Sequence, residues 1–136
     1  MAYTKMQISN LVKAIQSKVE SATGIRCYHS IEENTPRPLY FVEVVKTMPA
    51  NTKTMFRDNM TVYIHCITKA QDSSDELYSL IRKLQEALTE DVALQEPFEL
   101  IIQADKGVQK IETDKTNERH AVVQYDFAVC YKFQCK

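Results

Sequence analysis

The sequence is short of the residues and patterns on which several large protein classes depend. It contains only two glycines, so a glycine-rich loop that cradles a phosphate group is not expected. Its longest apolar runs, such as residues 39–42 and 100–102, have the length of a strand. A helix that spans a membrane needs about 20 apolar residues. We therefore expect neither a phosphate-binding loop of that kind nor an integral membrane protein.

The sequence also lacks an excess of charge of either sign. Its 17 Lys and Arg residues are balanced by 18 Asp and Glu residues, which leaves a formal net charge of -1. Such a chain has no overall field that would attract nucleic acid or anionic lipid, so we expect no specific nucleic-acid partner and no membrane partner. The first eight residues contain no apolar segment typical of an export signal, and we expect synthesis in the cytoplasm.

Cysteine is present, but not in a pattern that indicates a metal site or a disulfide framework. The spacing of Cys27, Cys66, Cys130 and Cys135 matches neither a Cys-x-x-Cys pair nor a zinc ribbon. A reduced cysteine in a strand behaves as a small apolar residue. We expect free thiols, of which Cys135, near the end of the sequence, is the most exposed.

The three histidines offer poor settings for chemistry. His65 and Cys66 are neighbours in a predicted strand, so their side chains point to opposite faces and cannot bind one metal ion together. His120 stands at the start of the last predicted strand beside Arg119, in a position more like a solvated turn, and His29 follows a short extended segment. Gly-x-Ser-x-Gly, His-Glu-x-x-His, P-loop and EF-hand patterns are all missing. We expect no catalytic residue, no metal and no cofactor, and hence no enzyme.

Length and composition are typical of one globular domain over residues 1–136, with 44% hydrophobic and 26% charged residues. Two helices are predicted from apolar residues that recur at steps of three and four. The first runs from about residue 6 to residue 22 and ends at Gly24, and the second begins at a capping box over residues 73–76. Their apolar stripes are Ile8, Leu11, Val12, Ile15, Val19 and Ala22 in the first helix, and Leu77, Leu80, Ile81, Leu84, Ala87 and Leu88 in the second.

The strands are predicted from alternation and from β-branched and aromatic residues. A short segment after Gly24 precedes strands at residues 39–46 and 59–68, and residues 98–104, 108–113 and 119–133 follow the second helix. The last of these places Tyr125, Phe127 and Val129 on one face. The expected fold is α+β in the order α-β-β-β-α-β-β-β, with both helices on one face of a mostly antiparallel sheet.

A polar connection over residues 46–58 is long for a hairpin loop, which usually has about two to five residues. Such loops often bind a partner. Its basic and large apolar residues predict a contact loop; they are Lys46, Met48, Lys53, Met55, Phe56 and Arg57. The alternative is that Met55 and Phe56 form the start of the next strand.

Particular stretches of the sequence resemble a known family. They are the first helix with residues 11–15, the segment 25–42 with Tyr28 and its two prolines, the strand 60–67, the helix 77–88, and the closing segment 118–127 that opens on Glu118-Arg-His-Ala. Together they resemble the small neck proteins of long-tailed phages and prophages, namely tail-completion, tail-terminator and tail-to-head joining proteins. They are also similar to uncharacterised proteins of prophage elements in Gram-positive bacteria.

The resemblance implies a non-enzymatic ring subunit, typically with six copies, that closes the tail tube or joins the tail to the head connector. Its partners would be tail-tube and head-connector proteins, first in the host cytoplasm and then in the virion. The residues alone leave a second hypothesis open, which is a small intracellular module that binds a protein or a ligand in a concave apolar pocket. The two hypotheses differ in where the binding surface should lie.

Overall fold

The computed structural model describes residues 4–31, 34–69, 73–113 and 118–133. Two helices and five strands follow one another along the chain. They are α1 (Ile8–Thr23), β1 (Cys27–Tyr28), β2 (Leu39–Pro49), β3 (Met55–Ile67), α2 (Ser74–Ala87), β4 (Glu99–Thr113) and β5 (Arg119–Phe133). No helix in this described part of the chain is both long enough and apolar enough to cross a membrane.

The strands form one sheet in the order β1-β2-β3-β5-β4. Only β1 and β2 pair in parallel, and the other neighbours are antiparallel. Helix α1 contacts β1 and β2, while α2 contacts β3 and β5, and the two helices contact each other. The predicted α+β class, with two helices on one face of a mostly antiparallel sheet, is confirmed.

The core lies between the helices and the central strands β3 and β5. Alternate residues of each strand face the helices, as a half-covered sheet requires. All of the following are buried: Met60, Val62, Ile64 and Cys66 on β3, and Ala121, Val123, Tyr125, Phe127 and Val129 on β5. The Tyr40 hydroxyl donates a hydrogen bond of 2.7 Å to the Leu80 carbonyl, which ties β2 to α2. The predicted core face of the last strand is confirmed.

The ends of the helices follow local rules. Gly24 ends α1 in the left-handed conformation, with φ of 74°, and its N–H donates to the Glu20 carbonyl. At the start of α2, the Ser73 hydroxyl accepts a hydrogen bond from the Glu76 N–H. The second predicted stripe is buried, with Leu77 and Leu84 almost fully enclosed.

The first predicted stripe is wrong at two positions, because Ile8 is 47% exposed and Ala22 is also exposed. The buried residues of α1 are Leu11, Ile15 and Val19, which recur at steps of four. The next position of this row toward the start of the helix is residue 7. Ile8 is one residue further along, so its side chain is rotated about 100° around the helix axis from the buried row. Met6, which precedes the helix, is 7% exposed and joins the core.

The prediction of two strands between α2 and the last strand is also wrong, because both segments belong to β4. Asp105, Lys106 and Gly107 form an irregularity inside the strand, with Gly107 at φ of 89° and its N–H donating to Asp105 Oδ1 at 2.7 Å. The ladder with β5 shifts register there and at two further places. A bulge absorbs one extra residue without ending a strand, so the order is α-β-β-β-α-β-β.

Because Leu84 is fully buried on α2, we expect Leu84→Ala to lower the free energy of unfolding by about 2–5 kcal/mol. The matched control is Lys83→Ala at the exposed neighbouring position, which should change it by less than about 0.5 kcal/mol. Urea unfolding of both variants measures the difference. Equal effects of the two substitutions would show that the stripe of α2 is not part of the core.

Candidate assembly surface

The segment predicted as a long contact loop is mostly a β-hairpin. β2 continues to Pro49 and β3 begins at Met55, so the connection is residues 50–54. Lys46, Met48 and Pro49 pair with Thr61, Asn59 and Asp58 of β3. The prediction of a loop over residues 46–58 is therefore wrong, and the alternative in which Met55 and Phe56 start the next strand is the one observed. The segment was predicted as a loop because it contains alternating polar residues and one proline.

Hydrogen bonds hold the turn of this hairpin in one conformation. The Ala50 N–H donates to the Arg57 carbonyl at 2.8 Å, and Arg57 Nε donates back to the Ala50 carbonyl at 2.8 Å. The Arg57 N–H donates to Asn51 Oδ1, and the Thr52 hydroxyl accepts from the Met55 N–H at 3.2 Å. The turn is thus a preformed projection, which reduces the entropy that a contact would cost.

The predicted contact residues do not form one cluster. Lys46 and Met48 lie on β2 with their side chains on the sheet face opposite the helices, which we call the open face. Lys53 lies in the exposed turn, whereas Phe56 stacks on Tyr131 with ring centroids 6.2 Å apart. Only Lys46, Met48 and Lys53 are exposed, and Met55, Phe56 and Arg57 are half-buried.

An ion pair connects the base of the hairpin to the segment that precedes α1. Lys5 Nζ lies 3.1 Å from Asp58 Oδ2 and 5.3 Å from the centroid of the Tyr131 ring. Asp58 is only 8% exposed although it is an acidic residue. A buried carboxylate needs such a partner, so the Lys5 contact fixes where the hairpin leaves the sheet.

A hollow of about 260 Å³ lies on the open face and crosses four strands. Lys46 and Met48 on β2 form one rim, and Ile102 and Lys106 on β4 form the other, with Asp126 of β5 in the floor. The Asp126 carboxylate accepts a hydrogen bond of 3.0 Å from Gln124 Nε2. This hollow was not predicted, because it depends on β2 and β4 lying at the right distance across the sheet.

A row of charged and imidazole side chains crosses the same open face. His65 Nδ1 lies 2.8 Å from His120 Nε2, so one ring donates and the other accepts. Glu43 Oε1 lies 3.6 Å from His65 Nε2, and Glu112 Oε1 lies 3.7 Å from His120 Nδ1. His120 lies at the start of β5, as predicted, but the expectation of a solvated, turn-like setting is wrong because its side chain is only partly exposed. The row links β2, β3, β5 and β4.

No larger ligand set surrounds these histidines in the part of the chain that the structure describes. There, no group of three or more His, Cys, Asp or Glu side chains is placed to hold a metal ion. A second concavity of about 500 Å³ lies between α1 and β2, lined mostly by apolar side chains such as Val12, Phe41 and Val44. Its volume falls within the range of roughly 300–1,000 Å³ that is usual for ligand pockets.

Comparison with known proteins shows the family of this chain. A family model described as "Putative tail termination protein", from a series of phage tail terminator families, matches residues 3–136. The chain belongs to this tail termination family. No curated protein matches its sequence.

A solved structure shares the fold of this tail termination family member. A chain from the "Virion of native gene transfer agent (GTA) particle" superposes with a TM-score of 0.70 at 15% sequence identity. The match covers 93% of this chain and 99% of that chain. The fold of this chain is therefore one already observed in a chain of a virion particle.

Three thiols of this tail protein lie inside the described fold. Cys27, Cys66 and Cys130 are buried and free, while Cys135 lies outside the described residues. Burial, together with the nearby Glu20 carboxylate, raises the pKa of Cys27 from 9.0 to about 12. Burial also raises the pKa of Cys66 well above its ordinary value. Both thiols therefore stay protonated in the folded chain at pH values where an exposed thiol ionises.

These pKa shifts predict that stability falls in alkaline solution. Below the ordinary thiol pKa both states hold the proton, and above it only the unfolded chain loses the proton, so the free energy of unfolding decreases as pH rises from 9.0 toward about 12. We expect a loss of roughly 1–3 kcal/mol between about pH 8 and about pH 10, measured by urea unfolding. In the control Cys27→Ala/Cys66→Ala that loss should shrink. An unchanged pH dependence in this variant would contradict the assignment.

Proposed function

We propose that this chain is a non-enzymatic ring subunit of a phage or prophage neck, which closes the tail tube or joins the tail to the head connector. The observation that carries the proposal is the match of the tail termination family over residues 3–136. In this proposal the protein forms a closed homo-oligomer of typically six copies, assembles in the host cytoplasm and remains in the virion. Tail-tube and head-connector proteins are its partners.

The geometry supports an assembly role. The hairpin of β2 and β3 projects a preformed turn, and the open face of the sheet carries exposed apolar side chains, among them Met48 and Ile102. Exposed apolar groups on a sheet face are typical of surfaces that a partner covers. The gene transfer agent chain with the same fold comes from a particle, which supports the same role for this chain.

A single feature supports the second hypothesis, in which the chain binds a small ligand. The groove of about 500 Å³ between α1 and β2 has mostly apolar walls and His29 at its edge. Its walls are the outer side of α1 and the margin of the sheet, and it does not converge on a set of buried polar groups. We therefore rank this function second.

The assembly role predicts that the hairpin turn is needed for joining heads to tails. Replacing residues 51–56 by Asn-Gly shortens the hairpin, and the register of the strands is kept because Ala50 stays opposite Arg57 across a two-residue loop. We expect joined particles to fall by more than about tenfold in a phage or prophage that carries this variant, because the contact loses its projecting part. Circular dichroism and the unfolding midpoint verify that the variant folds.

A pair of point variants separates the contact from a general change of charge. Lys53 lies in the exposed turn, and Lys83 lies at an exposed position of α2. Lys53→Glu and Lys83→Glu therefore make the same change of charge at two different places. Lys53→Glu should reduce joining, whereas Lys83→Glu should not. Normal joining with the shortened turn would show that the hairpin is not the contact arm.

A further inference from the structure

The hollow on the open face presents two lysines to solvent beside apolar side chains. Lys46 and Lys106 stand on opposite rims, and neither forms an ion pair with any residue that the structure describes. Met48 is 48% exposed and Ile102 is 47% exposed. Asp126 in the floor offsets one of the two positive charges, so the hollow has a net positive charge. It is suited to an occupant that is apolar and acidic.

The first turn of α2 has the complementary character. Asp75 and Glu76 are exposed and form no ion pair within the described ranges. Tyr78 is 53% exposed, which is more than any other large apolar side chain in the described part of the chain. The nearest positive side chain of the helix, Arg82, lies 3.9 Å from Glu86 and is directed toward the next turn. This end of the helix is therefore acidic and carries a solvent-facing aromatic ring.

We propose that the acidic first turn of α2 in one copy, with Tyr78, docks into the hollow on the open face of the next copy. Tyr78 would pack against Met48 and Ile102, and Asp75 and Glu76 would face Lys46 and Lys106. This contact rests on the proposed function, because it specifies how copies of this chain meet in the ring. The occupant is thus a second copy of this chain.

The position of the two surfaces decides the symmetry of the contact. The helices lie on one face of the sheet and the hollow lies on the other, so each copy offers one surface on each side. A contact between two different surfaces is heterologous, and it closes into a ring when the rotation between copies permits. A twofold pairing of two hollows would instead bring like charges together, which is unfavourable.

The size of the hollow favours a protein side chain over a small-molecule ligand. Its volume of about 260 Å³ lies below the range of roughly 300–1,000 Å³ for ligand pockets. One aromatic side chain with its neighbours fills such a space. Tyrosine at the centre of a contact, surrounded by charged residues at the rim, is the usual composition of a protein interface.

Charge reversal on each surface tests the proposal, using two variants of the full chain. One is Lys46→Glu/Lys106→Glu, which makes the hollow acidic, and the other is Asp75→Lys/Glu76→Lys, which makes the helix end basic. Each variant alone would oppose like charges at every contact. A mixture of the two can alternate around a ring with an even number of copies, and every contact is then between opposite charges. The control is Asp91→Lys/Glu96→Lys, with the same charge change at exposed positions away from both surfaces.

Joined particles are counted in cells whose phage or prophage lacks its own copy of the gene and which express one variant or both. Circular dichroism and unfolding midpoints show first that each variant folds. We expect each charge-reversal variant alone to lower the yield of joined particles by more than about tenfold. The mixture of the two should restore the yield, and the control variant should leave it normal. A normal yield with either variant alone, or no recovery with the mixture, would overturn the contact. Normal joining in cells that express no copy at all would instead refute the proposed function.

Discussion

The antiparallel pairing of β3 with β5 is the constraint on which the rest of this structure depends. From Arg57 to Ile67 the two strands stay in continuous register, so every second side chain on both strands faces the helices. Their aromatic and branched residues form the floor on which α1 and α2 pack. β2 and β4 then add to the two outer sides of this pair. A shift of one residue would turn the apolar set toward the open face, and the core would be lost.

Sequence patterns could predict the parts of the fold that local periodicity determines. The alternation from Met60 to Cys66 and from Ala121 to Val129 reports a half-buried strand directly, and Ser73 marks the start of α2 through its own hydroxyl group. The class of fold followed from these elements. The phage neck resemblance, drawn from the same stretches, agrees with the family that the whole chain matches.

The features that were missed depend on pairing between distant segments. Asp105-Lys-Gly107 has the composition of a turn, yet β5 holds β4 together through a bulge there. The hairpin at residues 46–58 was obscured by its polar residues, because strands that face solvent on one side need few apolar positions. His65 and His120 are 55 residues apart, and only the register of β3 with β5 brings their rings together. The hollow between Lys46 and Lys106 likewise could not be predicted, because it forms only when β2 and β4 lie on opposite sides of β3 and β5.

The uncovered face of the sheet connects the fold to assembly. The helices cover one face, whereas the other carries the hollow, the Glu43–His65–His120–Glu112 row and exposed apolar residues of β2 and β4. The proposed function, in which this tail protein acts by contact with its neighbours, requires a surface of this kind. The hairpin and the open face are contiguous through β2, so a neighbour that covers one would also reach the other.

Cryo-electron microscopy of the intact particle, at a resolution that traces the chain, would show directly whether the hairpin and the open face are assembly surfaces. We expect a closed ring of identical copies where the tail meets the head, in which neighbouring molecules cover the hairpin and the open face. A particle in which this chain is missing from the neck, or is present there with its open face and hairpin exposed to solvent, would contradict the proposed role.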